Sequence, residues 1–144
     1  IYLDIKFKCI NNFRLIELTE KEHFVKDIND FGIYNAFMVC KAGNKLLERA
    51  INRVVENVNS NFYGLCPLHP TGPRLLKDLI NETGFNAADV DLMHRSEING
   101  FISYRKTFVF ITTYPEYHSE QNDSYGKTNK KRYDLLWNEH RIYA

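Results

Sequence analysis

The sequence predicts an α/β fold, or the second half of one. A chain of 144 residues has the length of a single domain, and its 44% hydrophobic and 14% aromatic residues are enough to build a core. Two segments repeat apolar residues at helical spacing, and several runs are rich in the β-branched and aromatic residues typical of strands. Strands and helices therefore mix along the chain without strict alternation.

Composition narrows the classes of function. Lysine and arginine number 19 against 18 acidic residues, so the net charge of +1 gives no reason to expect a nucleic-acid partner. Cys9, Cys40 and Cys66 are an odd set without a CxxC pair. They predict neither a disulfide framework nor a zinc site, and they favour a reducing compartment, cytoplasmic or membrane-associated, over a Golgi lumen. No apolar run reaches the roughly 18 residues of a transmembrane helix.

The first segment, residues 1–7, alternates as a half-buried strand does. Its odd positions are apolar and predict a core face, while Asp4 and Lys6 fall on the other face, about 7 Å apart along the strand. These two charges are either an exposed ion pair worth about 0–1 kcal/mol or one wall of a site. Because the chain opens at Ile1 inside this strand, we expect a fragment whose true N-terminus lies upstream.

The next segments predict a second strand, a loop and a third strand. A turn at Asn11-Asn12 precedes the strand at 12–18, and the polar run 19–30 predicts a loop or a short turn of helix. Residues 31–42 are mostly apolar and aromatic, with Tyr34 and Asn35 as polar positions within the run. If Asn35 is buried, its amide needs partners, which are either neighbouring backbone groups or a ligand.

The clearest helix spans 44–59, with Asn44 as its N-cap. Its apolar stripe predicts a packing face made of Leu46, Leu47, Ala50, Ile51, Val54, Val55 and Val58.

A second helix is predicted from about 72 to 83. Thr71 is the expected N-cap, Pro73 fits the first turn, and Gly84 ends the helix. Thr71 and Gly72 are either a plain cap or a loop that lines a pocket, where glycine lets the backbone come close.

Beyond this helix the pattern is mixed. A short strand is predicted near 89–93 and another inside 101–114, followed by a polar loop at 115–131. The tail from residue 132 turns apolar again, so we expect it to dock on the body, with Trp137 packed in the core.

Four stretches in this order resemble glycosyltransferase family 32, the DXD-containing sugar transferases related to the α-1,6-mannosyltransferases. They are IYLDIKF, YNAFMVCKAGNKLLERAINRVVENV, HPTGPRLL and KRYDLLWNEHRIY. The resemblance implies a GT-A-like fold with a mixed sheet and flanking helices. Residues 1–144 would then be a single domain or fragment, the acceptor-side C-terminal part, which lacks the N-terminal nucleotide-binding half and is inactive alone.

The same resemblance implies an enzyme that transfers a hexose from a nucleotide-sugar to a hydroxyl of a glycan or lipid acceptor, with retention of configuration. It assigns Asp4 to the first motif carboxylate, which is both catalytic and a ligand of Mn²⁺ or Mg²⁺. Lys6 stands where the second carboxylate of the family binds the metal. Either Asp4 and groups further on bind the metal, or Lys6 pairs directly with the diphosphate, or the site is inactive.

Five further residues are assigned to donor or acceptor contacts by this resemblance. They are Asn35, His69, Thr71, Gly72 and Trp137.

Two rival interpretations of the function remain. One is a catalytically inactive carbohydrate-binding or scaffold domain with the same fold, and the other is an unrelated α/β interaction domain.

Overall fold

One mixed sheet organises the fold. The computed structural model describes residues 1–84, 90–97, 100–117, 119 and 132–143. Over these residues it has seven strands, namely β1 Tyr2–Leu3, β2 Lys8–Cys9, β3 Glu22–Lys26, β4 Ile33–Val39, β5 Val90–Arg95, β6 Ile102–Tyr104 and β7 Thr107–Ile111. Their spatial order is β1-β4-β3-β5-β6-β7-β2, in which only β3 and β5 pair in parallel. The predicted α/β class is confirmed as a mixed sheet with flanking helices.

The sheet curls because its two edge strands are neighbours in sequence. In a flat sheet, β1 and β2 would lie about 29 Å apart. Residues 4–7 are all that joins these strands, and such a connection spans at most about 18 Å. Phe7 fills the inside of the curl, where its ring centroid lies 5.8 Å from that of Phe37 and 5.6 Å from that of Phe110.

Three helices whose residues are all described accompany the sheet, α1 Lys45–Asn59, α2 Pro73–Thr83 and α3 Tyr133–Asn138. The Asn44 side chain accepts the Leu47 N–H at 2.9 Å, which confirms the predicted N-cap of α1. Gly84 ends α2 with φ 72°, also as predicted. None of the described helices is long and apolar enough to cross a membrane.

The core has two parts on the two sides of the sheet. Inside the curl lie Leu18, Val25, Tyr34, Ala36, Phe37, Val39, Met93, Ile102, Val109 and Phe110. The part of the core on the outer side is smaller. It consists of Phe24, Ile33 and Leu76, which pack against partly buried residues that include members of α1 and α2.

Three strand or loop predictions at the N-terminal end are wrong. The predicted strand 1–7 is broken, because the chain turns at Ile5, which is fully exposed rather than in the core. The predicted strand 12–18 contains a short 3-10 helix, Leu15–Leu18. The segment 19–30, predicted as a loop or a short turn of helix, contains β3, a central strand buried at His23, Phe24 and Val25 and charged only at its ends. The short 3-10 helix Ile28–Asp30 that follows is the one turn of helix that agrees with the prediction.

The other segments follow the prediction more closely. β4, β5 and β7 lie within or next to the strands expected at 31–42, 89–93 and 101–114. Residues 118 and 120–131 of the predicted polar loop lie outside the described residues, and residues 115–117 are helical rather than loop.

Two helix details are corrected. The N-cap of α2 is Gly72 rather than Thr71, because the chain enters the helix one residue later than predicted. The stripe of α1 is only partly covered: Ile51, Val55 and Val58 are 66%, 53% and 46% exposed, since the helix packs through Leu46, Leu47 and Ala50 instead.

The tail docks as predicted, but Trp137 is only half-buried and belongs to neither part of the core. Trp137 Nε1 donates to the Tyr63 carbonyl at 2.6 Å, and the Tyr143 hydroxyl donates to the Phe62 carbonyl at 2.5 Å. The tail therefore holds the segment between α1 and α2, whose far end reaches the cleft described next.

Candidate functional site

A cleft of about 370 Å³ opens at one end of the curled sheet. The carboxyl ends of the parallel strands β3 and β5 meet there with the start of β4, the edge at which α/β proteins commonly bind ligands. Its wall is formed by Asp4, Lys6, Asp27, Tyr34, Asn35, Ala36, Pro67, Leu68, Thr71, Gly72, Pro73, Arg95 and Tyr133. Five of the seven residues singled out from the sequence thus line one cleft.

Asp4 and Lys6 lie on the turn that joins the two sheet edges. The Asp4 N–H donates to the Ala36 carbonyl at 2.8 Å, and the Phe7 N–H closes the turn on the Asp4 carbonyl at 3.1 Å. Lys6 Nζ lies 3.5 Å from Asp4 Oδ2, so the two charges are paired, although on a turn and not on one face of a strand. The ring of Phe7 anchors this turn in the core.

Both charges have further contacts. The Tyr2 hydroxyl donates to Asp4 Oδ1 at 2.8 Å. Burial of Lys6 opposes its charge, but the hydrogen bond to Tyr34 and the negative charge of Asp4 outweigh this effect and raise the pKa of Lys6. Lys6 is therefore a cation at neutral pH.

A second ion pair, which the sequence interpretation missed, lies across the cleft. Arg95 Nη1 donates to Asp27 Oδ1 at 2.9 Å, and the same oxygen accepts the Ile28 N–H at 2.9 Å. The guanidinium carbon of Arg95 lies 4.3 Å from the centroid of the Tyr34 ring, and Lys6 Nζ lies 5.2 Å from it. A signal existed in the sequence, since both members follow or end strands, but β3 was not recognised as a strand.

Asn35, Thr71 and Gly72 form the neutral part of the wall. Asn35 lies in β4 where its pairing with β3 shifts register, so that Ala36 and Phe37 both reach the inner core. Thr71 is exposed. The wall can come this close to the sheet because Gly32 has no side chain: a Cβ there would lie 2.8 Å from three atoms of Pro73.

His69 lies behind the cleft and is not part of its wall. Its Nδ1 accepts the Leu65 N–H at 3.0 Å, so its Nε2 carries the proton that is donated to Asp78 Oδ2 at 2.8 Å. The ring also meets the edge of Phe62 at 5.1 Å. His69 thereby ties the segment between the helices to α2.

Trp137 is also outside the cleft wall. Its indole N–H is used by the Tyr63 carbonyl, and the neighbouring His140 ring lies 4.4 Å from that of Tyr63. It supports the same segment as His69 does, from α3.

Both carboxylates of the cleft already have a cation as their partner. Asp4 is paired with Lys6 and Asp27 with Arg95, so each carboxylate is already neutralised by a cation. Within the described residues there is no group of three metal-ligating side chains. The Mn²⁺ or Mg²⁺ predicted at Asp4 stays a prediction.

An adjoining pocket of about 490 Å³ extends the cleft. It shares Pro67, Leu68 and Tyr133 with the cleft and adds Phe31, Cys66, Arg132 and Asp134. Phe31 and Tyr133 are 37% and 40% exposed, so aromatic surface is available in it. Together the two pockets join a charged end to an aromatic end.

No family model, curated protein or solved structure matches this chain.

Proposed function

We propose that this chain is the acceptor-side part of a GT-A-like glycosyltransferase, which transfers a hexose from a nucleotide-sugar to a hydroxyl of a glycan or lipid. The observation that carries the proposal is the convergence of Asp4, Lys6, Asn35, Thr71 and Gly72 on one cleft. These residues come from three separate stretches that resemble glycosyltransferase family 32. A chance resemblance gives no reason for the three stretches to meet.

Lys6 supplies the positive charge that the leaving diphosphate requires. In the transfer, the bond between the anomeric carbon and the phosphate oxygen breaks, and its electron pair stays on the diphosphate. The acceptor oxygen bonds to the anomeric carbon, and its proton passes to the leaving phosphate oxygen. Because negative charge grows on the diphosphate, an ammonium fixed beside it by Asp4 lowers the barrier.

The cleft and its adjoining pocket suit the two substrates. The ion-paired end offers both hydrogen-bond donors and carboxylate acceptors, which match sugar hydroxyls. The aromatic end, with Phe31 and Tyr133, offers flat apolar faces to the carbon-bound hydrogens of an acceptor sugar or to a lipid. The acceptor therefore lies toward Tyr133 and the donor toward Lys6.

A direct test is calorimetric titration of UDP-glucose and GDP-mannose into the complete protein, with and without Mn²⁺. We expect binding that does not need the metal and that weakens at least tenfold in Lys6→Ala. Lys8→Ala removes an exposed lysine of β2 and is the matched control, which should bind as the unchanged protein does. Binding that requires Mn²⁺ and Asp4 would contradict the role given to Lys6.

The alternative is an inactive carbohydrate-binding domain with the same fold. It is favoured by the balance of charge in the cleft, where each carboxylate already has a cation as its partner. If neither nucleotide-sugar binds but a free oligosaccharide does, this alternative replaces the transferase.

A further inference from the structure

Two cations from distant parts of the chain share one tyrosine ring. Lys6 comes from the turn between β1 and β2, and Arg95 is the last residue of β5, yet both lie over Tyr34 and both line the cleft. Two cations held close together repel each other, and nearby anions offset this repulsion. Asp4 and Asp27 are the anions that the chain itself provides.

The hydrogen-bonding capacity of Arg95 exceeds what Asp27 accepts. A guanidinium has five N–H donors, and one of them reaches Asp27 Oδ1 at 2.9 Å. Its Nε–H is buried and finds no hydrogen-bond acceptor among the described residues. The side chain of Arg95 is still 24% exposed, and the guanidinium geometry matches the oxygens of a phosphate group.

Asp27 fixes the position of the Arg95 guanidinium and is itself too buried to bind a ligand from solution. Its side chain is only 9% exposed, and its Oδ1 is also the acceptor for the Ile28 N–H. Asp27 directly follows β3, and Lys26 at the end of that strand pairs in parallel with His94. Two adjacent strands therefore fix Asp27 and Arg95 relative to each other.

We propose that Arg95 and Lys6 together form the site for the diphosphate group of a nucleotide, with Arg95 as a binding residue and Asp27 as a positioning residue. The inference rests on the proposed function for the nucleotide and adds the second cation. Two fixed cations take the place of a divalent metal in neutralising the diphosphate.

The first experiment is calorimetric titration of inorganic pyrophosphate into the complete protein at low ionic strength. We expect Arg95→Gln to weaken binding at least tenfold and Arg95→Lys to weaken it less. Arg53→Gln is the matched control, because Arg53 also pairs with a carboxylate, Glu82 at 3.1 Å, but lies outside the cleft. Equal loss in Arg95→Gln and Arg53→Gln, or no pyrophosphate binding at all, would overturn the proposal.

A second variant gives an effect of opposite sign. Asp27→Asn keeps an oxygen acceptor for the Ile28 N–H but removes the negative charge beside Arg95. We expect it to bind pyrophosphate several-fold more tightly than the unchanged protein. A purely structural role of the Asp27–Arg95 pair predicts weaker binding in this variant or none, and either result counts against the site.

The outcomes separate this inference from the proposed function. If pyrophosphate binds through Arg95 but UDP-glucose and GDP-mannose do not bind, the anion site is confirmed and the proposed transferase function is refuted. If the nucleotide-sugars bind to Arg95→Gln as tightly as to the unchanged protein, the proposed transferase function is supported and the role given to Arg95 is refuted.

Discussion

The segment between α1 and α2, residues 60–72, has two sides that differ in what they do. On one side Pro67, Leu68, Thr71 and Gly72 face the cleft. On the other side the segment is tied to all three helices, to α1 by Asn57, to α2 by His69 with Asp78, and to α3 by Trp137. One side is the wall of the candidate site, and the other is its support.

The difference shows that a residue can matter to a site without touching a ligand. Asn57 is buried, and its Nδ2 donates to the Pro70 carbonyl at 2.8 Å, directly before Thr71. Substitutions on the supporting side should therefore lower the free energy of unfolding. Substitutions on the cleft side should leave folding unchanged and alter binding.

The largest effect is expected for His69→Ala. This variant loses the acceptor for the Leu65 N–H, the donor to Asp78 and the contact with Phe62, so we expect the free energy of unfolding to fall by about 2–3 kcal/mol. Urea unfolding followed by circular dichroism measures it. His94→Ala removes an exposed histidine of β5 and should change stability by no more than about 0.5 kcal/mol. An equal loss in the two variants would show that His69 has no special place in the support.

A smaller effect is expected for Trp137→Phe. The ring is kept in smaller form, but the donor to the Tyr63 carbonyl is lost, which should cost about 1 kcal/mol in the same urea experiment. The change also tests the comparison itself, because the sequence resemblance assigns Trp137 to ligand contacts. Weaker binding of GDP-mannose or UDP-glucose at unchanged stability would show that Trp137 takes part in ligand binding and does not merely support the segment.

The helices that carry this segment were predictable because their signals are local. An N-cap at Asn44, a proline in the first turn of α2 and apolar residues at helical spacing are all read within a few residues. The exposure of Ile51 was not predictable, because the stripe alone does not say how much of it the sheet covers.

The strands were harder because their partners are distant in sequence. β3 is a central strand because β4 and β5 pair with its two edges, and the two parts of the core bury its two faces, Val25 on one and Phe24 on the other. Its five residues carry a charge at each end. Residues 1–7 alternate correctly, yet the curl of the sheet forces a turn at Ile5. Non-local pairing overrode the local pattern in both places.

The residues of the candidate site also divide into those that the local sequence predicts and those that only distant strand pairing brings together. Asp4, Lys6, Asn35, Thr71 and Gly72 were predicted from the sequence through a family resemblance that stays a prediction. Asp27 and Arg95 were missed because only the parallel pairing of β3 and β5 brings them together. A search for charges at the ends of adjacent parallel strands finds them once those strands are known.

The smallest effect on folding is expected for Thr71→Ala, on the cleft side of the segment. Thr71 is exposed and is not the N-cap of α2, so its loss should change the free energy of unfolding by no more than about 0.5 kcal/mol. If its hydroxyl contacts a bound nucleotide-sugar, one neutral hydrogen bond is lost, and calorimetry with GDP-mannose or UDP-glucose should show binding weakened by about two- to tenfold. Thr71→Ser keeps the hydroxyl and should bind normally, while Thr107→Ala, an exposed threonine of β7, is the control away from the cleft. Should Thr71→Ala destabilise the protein as much as His69→Ala does, the wall and its support would be one structural unit, and the division between them would be wrong.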